Sequence, residues 1–361
     1  MKLNLHAPCN QLGYGIAGSN IALALNNLGI EVSLFPIGPR ELPNEQDFIP
    51  MLQRAQYFDR NAPCLRIYHQ HSMAERVGRG KLIGFPIFEL DTFTPVEKHH
   101  LSSVDRLFVT CDWAKAVVYS NLVPKQYDEH LKDLTDNISV VPLGVDNTLF
   151  FPSPLNSGPT LFFNIGKWEQ RKSHDILIKA FKGEFGSDGS ARLFLCTENP
   201  FLSREQRVKW EKQLDGAGNI HYISRRSSQN EIADLIRQCD CGVFPSRAEG
   251  WNLEALETLS CGRHLIVTDY SAHKAYATTD NAKLINITKL EPAYDNIWPV
   301  FYGQGNWAKF EQEQITQLQQ HMRAIHNLKQ SSQLKINDAG IETVKKFTWE
   351  NTAKTIVENL S

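Results

Sequence analysis

The stretch Pro245-Ser-Arg-Ala-Glu-Gly-Trp-Asn-Leu-Glu-Ala-Leu-Glu-Thr-Leu-Ser-Cys-Gly262 decides how this chain is read. Leu253, Leu256 and Leu259 recur at helical spacing, Asn252 has the side chain of an N-cap and Gly262 that of a stop, which predicts a helix from about Leu253 to Cys261. A glycine-containing turn leads into it. The start of such a helix offers free backbone N–H groups and the positive end of a dipole, which favour a phosphate. Glu249 lies before the helix and Glu257 within it, where carboxylates can grip hydroxyls. Phosphate-binding backbone flanked by hydroxyl-binding acids suits a sugar nucleotide. An acidic amphipathic helix behind a turn is common and two glutamates alone say little, so the flanking residues carry the weight.

Working outward, short apolar β-branched runs alternate with helical patterns, the sign of parallel sheets covered by helices. The first half holds strand candidates at Leu3–Ala7, Val32–Ile37, Leu65–His69, Leu82–Phe88, Arg106–Thr110 and Ile138–Pro142. The second half restarts the pattern at Thr160–Ile165, Arg192–Cys196, Ile220–Ile223, Cys241–Phe244, Leu265–Thr268 and Lys283–Ile287. Between them Phe151-Pro-Ser-Pro-Leu-Asn-Ser-Gly-Pro159 has the composition of a linker.

The 361 residues suffice for two domains, each with its own core. A hydrophobic content of 42% and a charged content of 22% are those of a globular protein. A formal net charge of −2 offers no general attraction to nucleic acid or an anionic membrane. No apolar run approaches the roughly 18 to 20 residues that span a bilayer, no strongly basic amphipathic helix marks a lipid surface, and Met1–His6 lacks the apolar core of a signal peptide, so a cytoplasmic location is expected. Cys239-Asp-Cys241 is too closely spaced for a usual zinc pair and reads as buried packing, as do the other cysteines in apolar segments.

Two further loops follow strands. After Thr160–Ile165 comes Gly166-Lys-Trp-Glu-Gln-Arg-Lys-Ser-His-Asp175, in which Lys167 and Lys172 could fold toward one anion; a solvated basic turn is the alternative. After the first strand, Pro8-Cys-Asn-Gln-Leu-Gly-Tyr-Gly-Ile-Ala-Gly-Ser-Asn20 precedes a helix over Ile21–Leu28, and Gly13, Gly15 and Gly18 would let backbone approach a ligand. A lone G-x-G-x-x-G also raises a nicotinamide oxidoreductase. The long loop, and a second strand ending in Phe35-Pro-Ile-Gly-Pro39 without an acid, argue against it.

Together these residues resemble retaining GT-B glycosyltransferases, the group called glycosyltransferase family 4 or group 1. Pro245, Ser246, Glu249, Gly250, Leu253, Glu257 and Gly262 stand in register with its E-x7-E signature. Trp251 replaces a usual Phe, Asn252 a usual Gly and Glu254 a usual Pro. Val140-Val-Pro-Leu-Gly-Val-Asp146 is similar to the family's approach to its hinge, and Phe347-Thr-Trp349 to its closing helix. The resemblance implies an α/β, GT-B fold: two Rossmann-like domains with parallel sheets facing across a cleft. Residues 1–152 would form the acceptor domain and 153–344 the nucleotide-sugar domain, with the helix over 345–361 returning to the first.

The same resemblance assigns roles. Glu249 would hold sugar hydroxyls, Gly250, Trp251, Asn252 and Leu253 the sugar and phosphate through backbone, and Glu257 the ribose, with Ser246 also in the donor site. Lys167, where Arg is usual, and Lys172 would hold the pyrophosphate and the charge of the leaving group; Arg171 is an adjacent substitute. His71, in Tyr68-His-Gln-His71, would contact the donor sugar, whereas His69 reads as a structural strand residue. The glycine loop with Gly13 and Gly15 would face the donor phosphates and acceptor, with Tyr14, Glu89 and Asp91 as acceptor-side candidates; for Glu89 and Asp91, capping the next helix is an equal reading. A nucleotide-sugar donor and a glycan or other hydroxyl acceptor are therefore expected, with no resident cofactor, no essential metal and no nucleic acid partner. A sugar-nucleotide-binding protein of weak activity is the rival, motivated by Lys167 and Asn252.

Overall fold

The computed structural model describes residues 1–122, 137–216, 218–296 and 301–360. The chain forms two compact units, Met1–Gly144 with Lys346–Ser361, and Val145–Lys345.

In the first unit, β1 (Lys2–Ala7), β2 (Glu31–Pro36), β3 (Cys64–Tyr68), β4 (Leu82–Pro86), β5 (Arg106–Val109) and β6 (Ile138–Val140) make a parallel sheet in the order β2-β1-β3-β4-β5-β6. Burial on both faces explains the apolar runs; every residue of β4 is buried. The helices are α1 (Gly13–Asn27), α2 (Glu45–Arg54), α3 (Pro95–Ser102) and α4 (Asp112–Leu122).

α1 starts eight residues earlier than the sequence suggests, which places Gly13, Gly15 and Gly18 inside a helix rather than in a ligand-facing loop. Gly15 and Gly18 serve packing. A Cβ on Gly15 would lie 2.3 Å from the Asn10 backbone nitrogen, and one on Gly18 would lie 2.2 Å from the Pro8 carbonyl oxygen. Gly13 meets nothing within 4 Å.

In the second unit, β7 (Thr160–Ile165), β8 (Ala191–Cys196), β9 (Ile220–Tyr222), β10 (Cys241–Phe244), β11 (His264–Thr268) and β12 (Lys283–Ile285) form a second parallel sheet in the order β12-β11-β10-β7-β8-β9. The helices α5 (His174–Phe185), α6 (Arg204–Glu211), α7 (Gln229–Gln238), α8 (Leu253–Ser260), α9 (Gln312–Gln330) and α10 (Asp338–Val344) cover it. Phe162, Leu193, Val243 and Ile266 of the sheet pack with Phe181 of α5 and Leu318 and Met322 of α9 in one core. An antiparallel hairpin, β13 (Leu290–Tyr294) and β14 (Tyr302–Ala308), was not foreseen.

The Pro-rich segment 151–159 is tied into this unit: Asn156 Nδ2 donates to Asp240 Oδ2 at 2.9 Å, and Arg263 donates to the Pro154 carbonyl at 3.2 Å. The division of the chain accordingly falls before it, at Gly144 and Val145. The last helix, α11 (Trp349–Glu358), is capped by Thr348, whose hydroxyl accepts from the Asn351 N–H. It belongs to the first unit, where Thr352 donates to the Pro142 carbonyl at 2.8 Å and Gly144 abuts the backbone of Trp349.

Both sheets switch direction in the middle, between β1 and β3 in the first and between β7 and β10 in the second. Loops leaving the carboxyl ends of strands on either side of such a point diverge and leave a crevice, the usual ligand position in open α/β sheets.

Candidate donor-nucleotide site

The two loops that border the second switch point are those the sequence singled out, one after β7 and one after β10. Gly166 leaves β7 with φ +148°, a conformation open to glycine, and a Cβ there would meet Lys172 Cε at 3.4 Å. Lys172 thereby turns back over the strand end and places Nζ 2.8 Å from Glu249 Oε1. Arg171 Nη1 donates to Glu249 Oε2 at 2.7 Å and to the Ala248 carbonyl at 2.8 Å, and its Nη2 lies 3.0 Å from Glu169 Oε2. Lys167 Nζ closes the series 3.1 Å from Glu169 Oε1, over the Phe201 ring.

The expected pair of lysines is therefore a chain, Lys167–Glu169–Arg171–Glu249–Lys172, with three cations and two carboxylates. Lys167 and Lys172 sit at opposite ends of it. Arg171, named as an adjacent substitute for Lys167, bridges the two acids from a buried position. Burial alone would raise the Glu249 carboxyl, but Lys172 and Arg171 hold it far below its ordinary range. Burial opposes the charge of Lys172, and Glu249 outweighs it, so that ammonium stays protonated. Glu249 is consequently an ionised carboxylate at neutral pH, within a cluster that carries one net positive charge.

α8 begins where the sequence predicts and ends one residue earlier. Asn252 caps it, its Oδ1 accepting from the Ala255 N–H at 3.2 Å. The N–H groups of Leu253 and Glu254 have no hydrogen-bond partner among the described residues. Asn252 has φ 75°, so its replacement of the family's glycine keeps a left-handed position in the residue type that tolerates it next best. Trp251 is buried against Tyr276, with ring centroids 5.3 Å apart, and the Tyr276 hydroxyl donates to the Trp251 carbonyl at 2.9 Å. Glu249 N–H donates to Ser271 Oγ at 2.8 Å, which fixes the loop from the β11 side. Ser246 Oγ is buried without a partner among the described residues.

Glu257 is 5% exposed and makes no side-chain hydrogen bond or ion pair among the described residues. Burial, and then Glu254, push its carboxyl well above the ordinary value. An acid left in this state is destabilising unless a ligand supplies a donor.

The hairpin buttresses the basic loop. Asp295 Oδ2 accepts from the Gln170 N–H at 2.8 Å, while Arg247 donates to the Gln170 carbonyl and, at 2.8 Å, to Ser173 Oγ. Sequence reasoning missed Glu169, Arg247, Asp295, Ser271 and His273; their partners lie mostly on other elements and leave no local spacing to read.

In the first unit the loops at the switch point bring Tyr14 of α1 to His69, with ring centroids 4.6 Å apart, and stack His69 on His71 at 5.4 Å. His69 follows β3 and is exposed, so it is not the structural strand residue expected. Arg66 of β3 holds this turn, donating to the Ser72 carbonyl at 2.7 Å. Tyr14 bonds to the Ile87 carbonyl. Glu89 and Asp91 are half-buried, and neither caps the next helix; Thr94 and Glu97 form a capping box on α3 instead.

Residues 145–289 match the family described as Glycosyl transferases group 1, which covers both loops of this site. With the twin parallel sheets, the match supports a glycosyltransferase of group 1 with a GT-B fold.

An uncharacterized glycosyltransferase of Methanocaldococcus jannaschii is 28% identical over 45% of this chain and 42% of its own length. The GDP-mannose-dependent alpha-(1-6)-phosphatidylinositol dimannoside mannosyltransferase of Mycobacterium tuberculosis is 29% identical over 40% of this chain and 39% of its own. The chain thus matches about two fifths of the length of these curated relatives. Anabaena HepE, solved in complex with UDP-glucose, superposes with a TM-score of 0.68 over 100% of this chain and 99% of its own, at 13% identity. Among the described residues no helix is long and apolar enough to cross a membrane.

Proposed function

We propose that the protein is a retaining, family 4 glycosyltransferase that moves a sugar from a nucleoside-diphosphate sugar to a hydroxyl of a saccharide or other glycan precursor. The observation that carries this reading is the convergence at one switch point of Lys172, the uncommitted N–H groups of Leu253 and Glu254, and the unpartnered carboxyl of Glu257. Cation and helix end suit a diphosphate, and Glu257 suits the paired hydroxyls of a ribose. Glu249, ionised beside them, would accept from sugar hydroxyls while still held by Arg171.

In the transfer the bond from the sugar's anomeric carbon to the diphosphate oxygen breaks and a bond to the acceptor oxygen forms on the same face. Charge grows on the departing diphosphate, where Lys172 and the start of α8 stabilise it. That diphosphate takes the acceptor's proton, so no protein base is assigned. The reaction is proposed to need no resident cofactor or metal, and to take place in the cytoplasm in polysaccharide synthesis. UDP-glucose, bound to HepE, and GDP-mannose, on which the mycobacterial mannosyltransferase depends, are the first donors to try.

A thermal-shift panel of UDP-, GDP-, ADP- and dTDP-sugars alongside NAD(P)H tests the donor class. Stabilisation by one sugar nucleotide, lost in Lys172→Ala, supports the reading; a response to NAD(P)H alone overturns it. NMR of the product decides retention by its anomeric configuration, and slow donor hydrolysis without acceptor separates an enzyme from a binding protein. His71→Ala is the first-unit substitution expected to lower turnover.

A further inference from the structure

His273 is fully buried behind the donor loop and belongs to no motif in the sequence. Its Nδ1 lies 3.1 Å from the Thr268 carbonyl oxygen at the end of β11. The Thr268 hydroxyl oxygen is also 3.1 Å from Nδ1, but its hydrogen goes to the Ser246 carbonyl at 2.7 Å; with both Thr268 oxygens accepting, Nδ1 carries the hydrogen and Nε2 is bare. Nε2 lies 2.9 Å from Asn252 Nδ2, which must donate to it. The Asn252 amide has then one allowed orientation, with Oδ1 turned to the Ala255 N–H at 3.2 Å. Burial keeps the imidazole neutral, with its pKa lowered to about 4.

We propose that His273 is a positioning residue for donor binding: by fixing the tautomer and the amide, it aims the first turn of α8 at the diphosphate. The proposal rests on the donor-site reading above. It also accounts for an asparagine at a position where glycine suffices for the backbone. A glycine takes φ 75° freely but leaves the helix start unfixed; Asn252 takes the same angle and is locked to β11 through the ring. The same segment serves the loop at two further points, Ser271 Oγ to the Glu249 N–H and the Thr268 hydroxyl to the Ser246 carbonyl, each 2.8 Å or shorter.

The test is a double-mutant cycle read by calorimetric titration with UDP. His273→Ala is expected to weaken UDP about tenfold in the parent background and less than about twofold in Asn252→Gly, because the partner it positions is already gone. His273→Gln, whose amide oxygen can accept from Asn252, is expected to retain most of the affinity and guards against a folding defect. Equal losses in both backgrounds, or none in the parent, overturn the proposal. A second readout needs no ligand. Ring nitrogen shifts should show hydrogen on Nδ1 and a bare Nε2 whose resonance moves in Asn252→Gly, and the Ala255 amide should exchange faster in His273→Ala. The opposite tautomer, or unchanged exchange, refutes the relay. Failure of the parent to bind any nucleoside diphosphate would instead refute the donor site while leaving these shifts to decide the relay.

Discussion

Replacing Glu249 by glutamine keeps the size of the side chain and removes its charge. In the native arrangement the carboxylate lies 2.8 Å from Lys172 Nζ and 2.7 Å from Arg171 Nη1, with the three side chains 5%, 8% and 7% exposed. So little water reaches them that the loss is not screened. Breaking a buried ion pair from one side costs about 3–5 kcal/mol, because it strands the opposite charge. Arg171 keeps Glu169, at 3.0 Å, and Lys172 keeps the more distant carboxylates of Glu254 and Glu169, which places the cost near the lower end, about 3 kcal/mol. For a unit of this size a urea slope of about 2.5 kcal/mol per M converts that into a midpoint lowered by about 1.2 M. Fluorescence of Trp168, Trp210, Trp251 and Trp307 reports unfolding of the second unit. Adding Lys172→Met removes the stranded ammonium, so the double variant should recover at least about half of the loss. A cost under about 1 kcal/mol, or a double variant weaker than the single one, would refute the assignment of Lys172 and Glu249 as one buried pair.

The same pair sets a pH dependence. Because the folded Glu249 carboxyl titrates below its ordinary value of 4.5, its contribution is fully present above that value and fades as pH falls through the folded one; acid titration of stability should be flatter in Glu249→Gln. Glu257 has the opposite sign. Its raised folded value makes stability fall as pH rises above 4.5, so Glu257→Gln should unfold at higher urea than the parent at pH 8 while binding UDP more weakly. In the first unit Gly15→Ala should cost about 1–3 kcal/mol or more, since its Cβ would overlap Asn10, and Gly13→Ala should be neutral or slightly stabilising in thermal melts. Asp295→Ala, which frees the Gln170 N–H, should raise the donor KM more than it lowers kcat, seen in steady-state kinetics.

The parallel strands were legible because they are buried on both faces, as β4 and β10 show, and a continuous apolar run is hard to hide. α8 was legible from its leucine spacing and its cap. The start of α1 was not, since three glycines in six residues read as a loop; here Gly15 and Gly18 relieve contacts with Asn10 and Pro8 that only the folded chain creates. The hairpin escaped because β13 carries Pro292 and exposes most of its residues, while β14 has Gly303 and Gly305 at positive φ. At the candidate site the sequence pointed to Lys167, Lys172, Glu249 and Glu257. The residues that hold them could not be read: Arg171 finds Glu249 78 positions away, and His273 finds Asn252 21 away.

The most direct test of the account is calorimetric titration of the parent protein, Lys172→Ala and Glu257→Gln with UDP-glucose and GDP-mannose. One of these donors should bind the parent, with affinity reduced about tenfold or more in each variant, as expected for loss of a charged hydrogen bond at Lys172 and of the ribose hydrogen bonds at Glu257. Binding that survives both substitutions unchanged, or no binding of any nucleoside-diphosphate sugar, would contradict a donor site at the β7–β10 switch point.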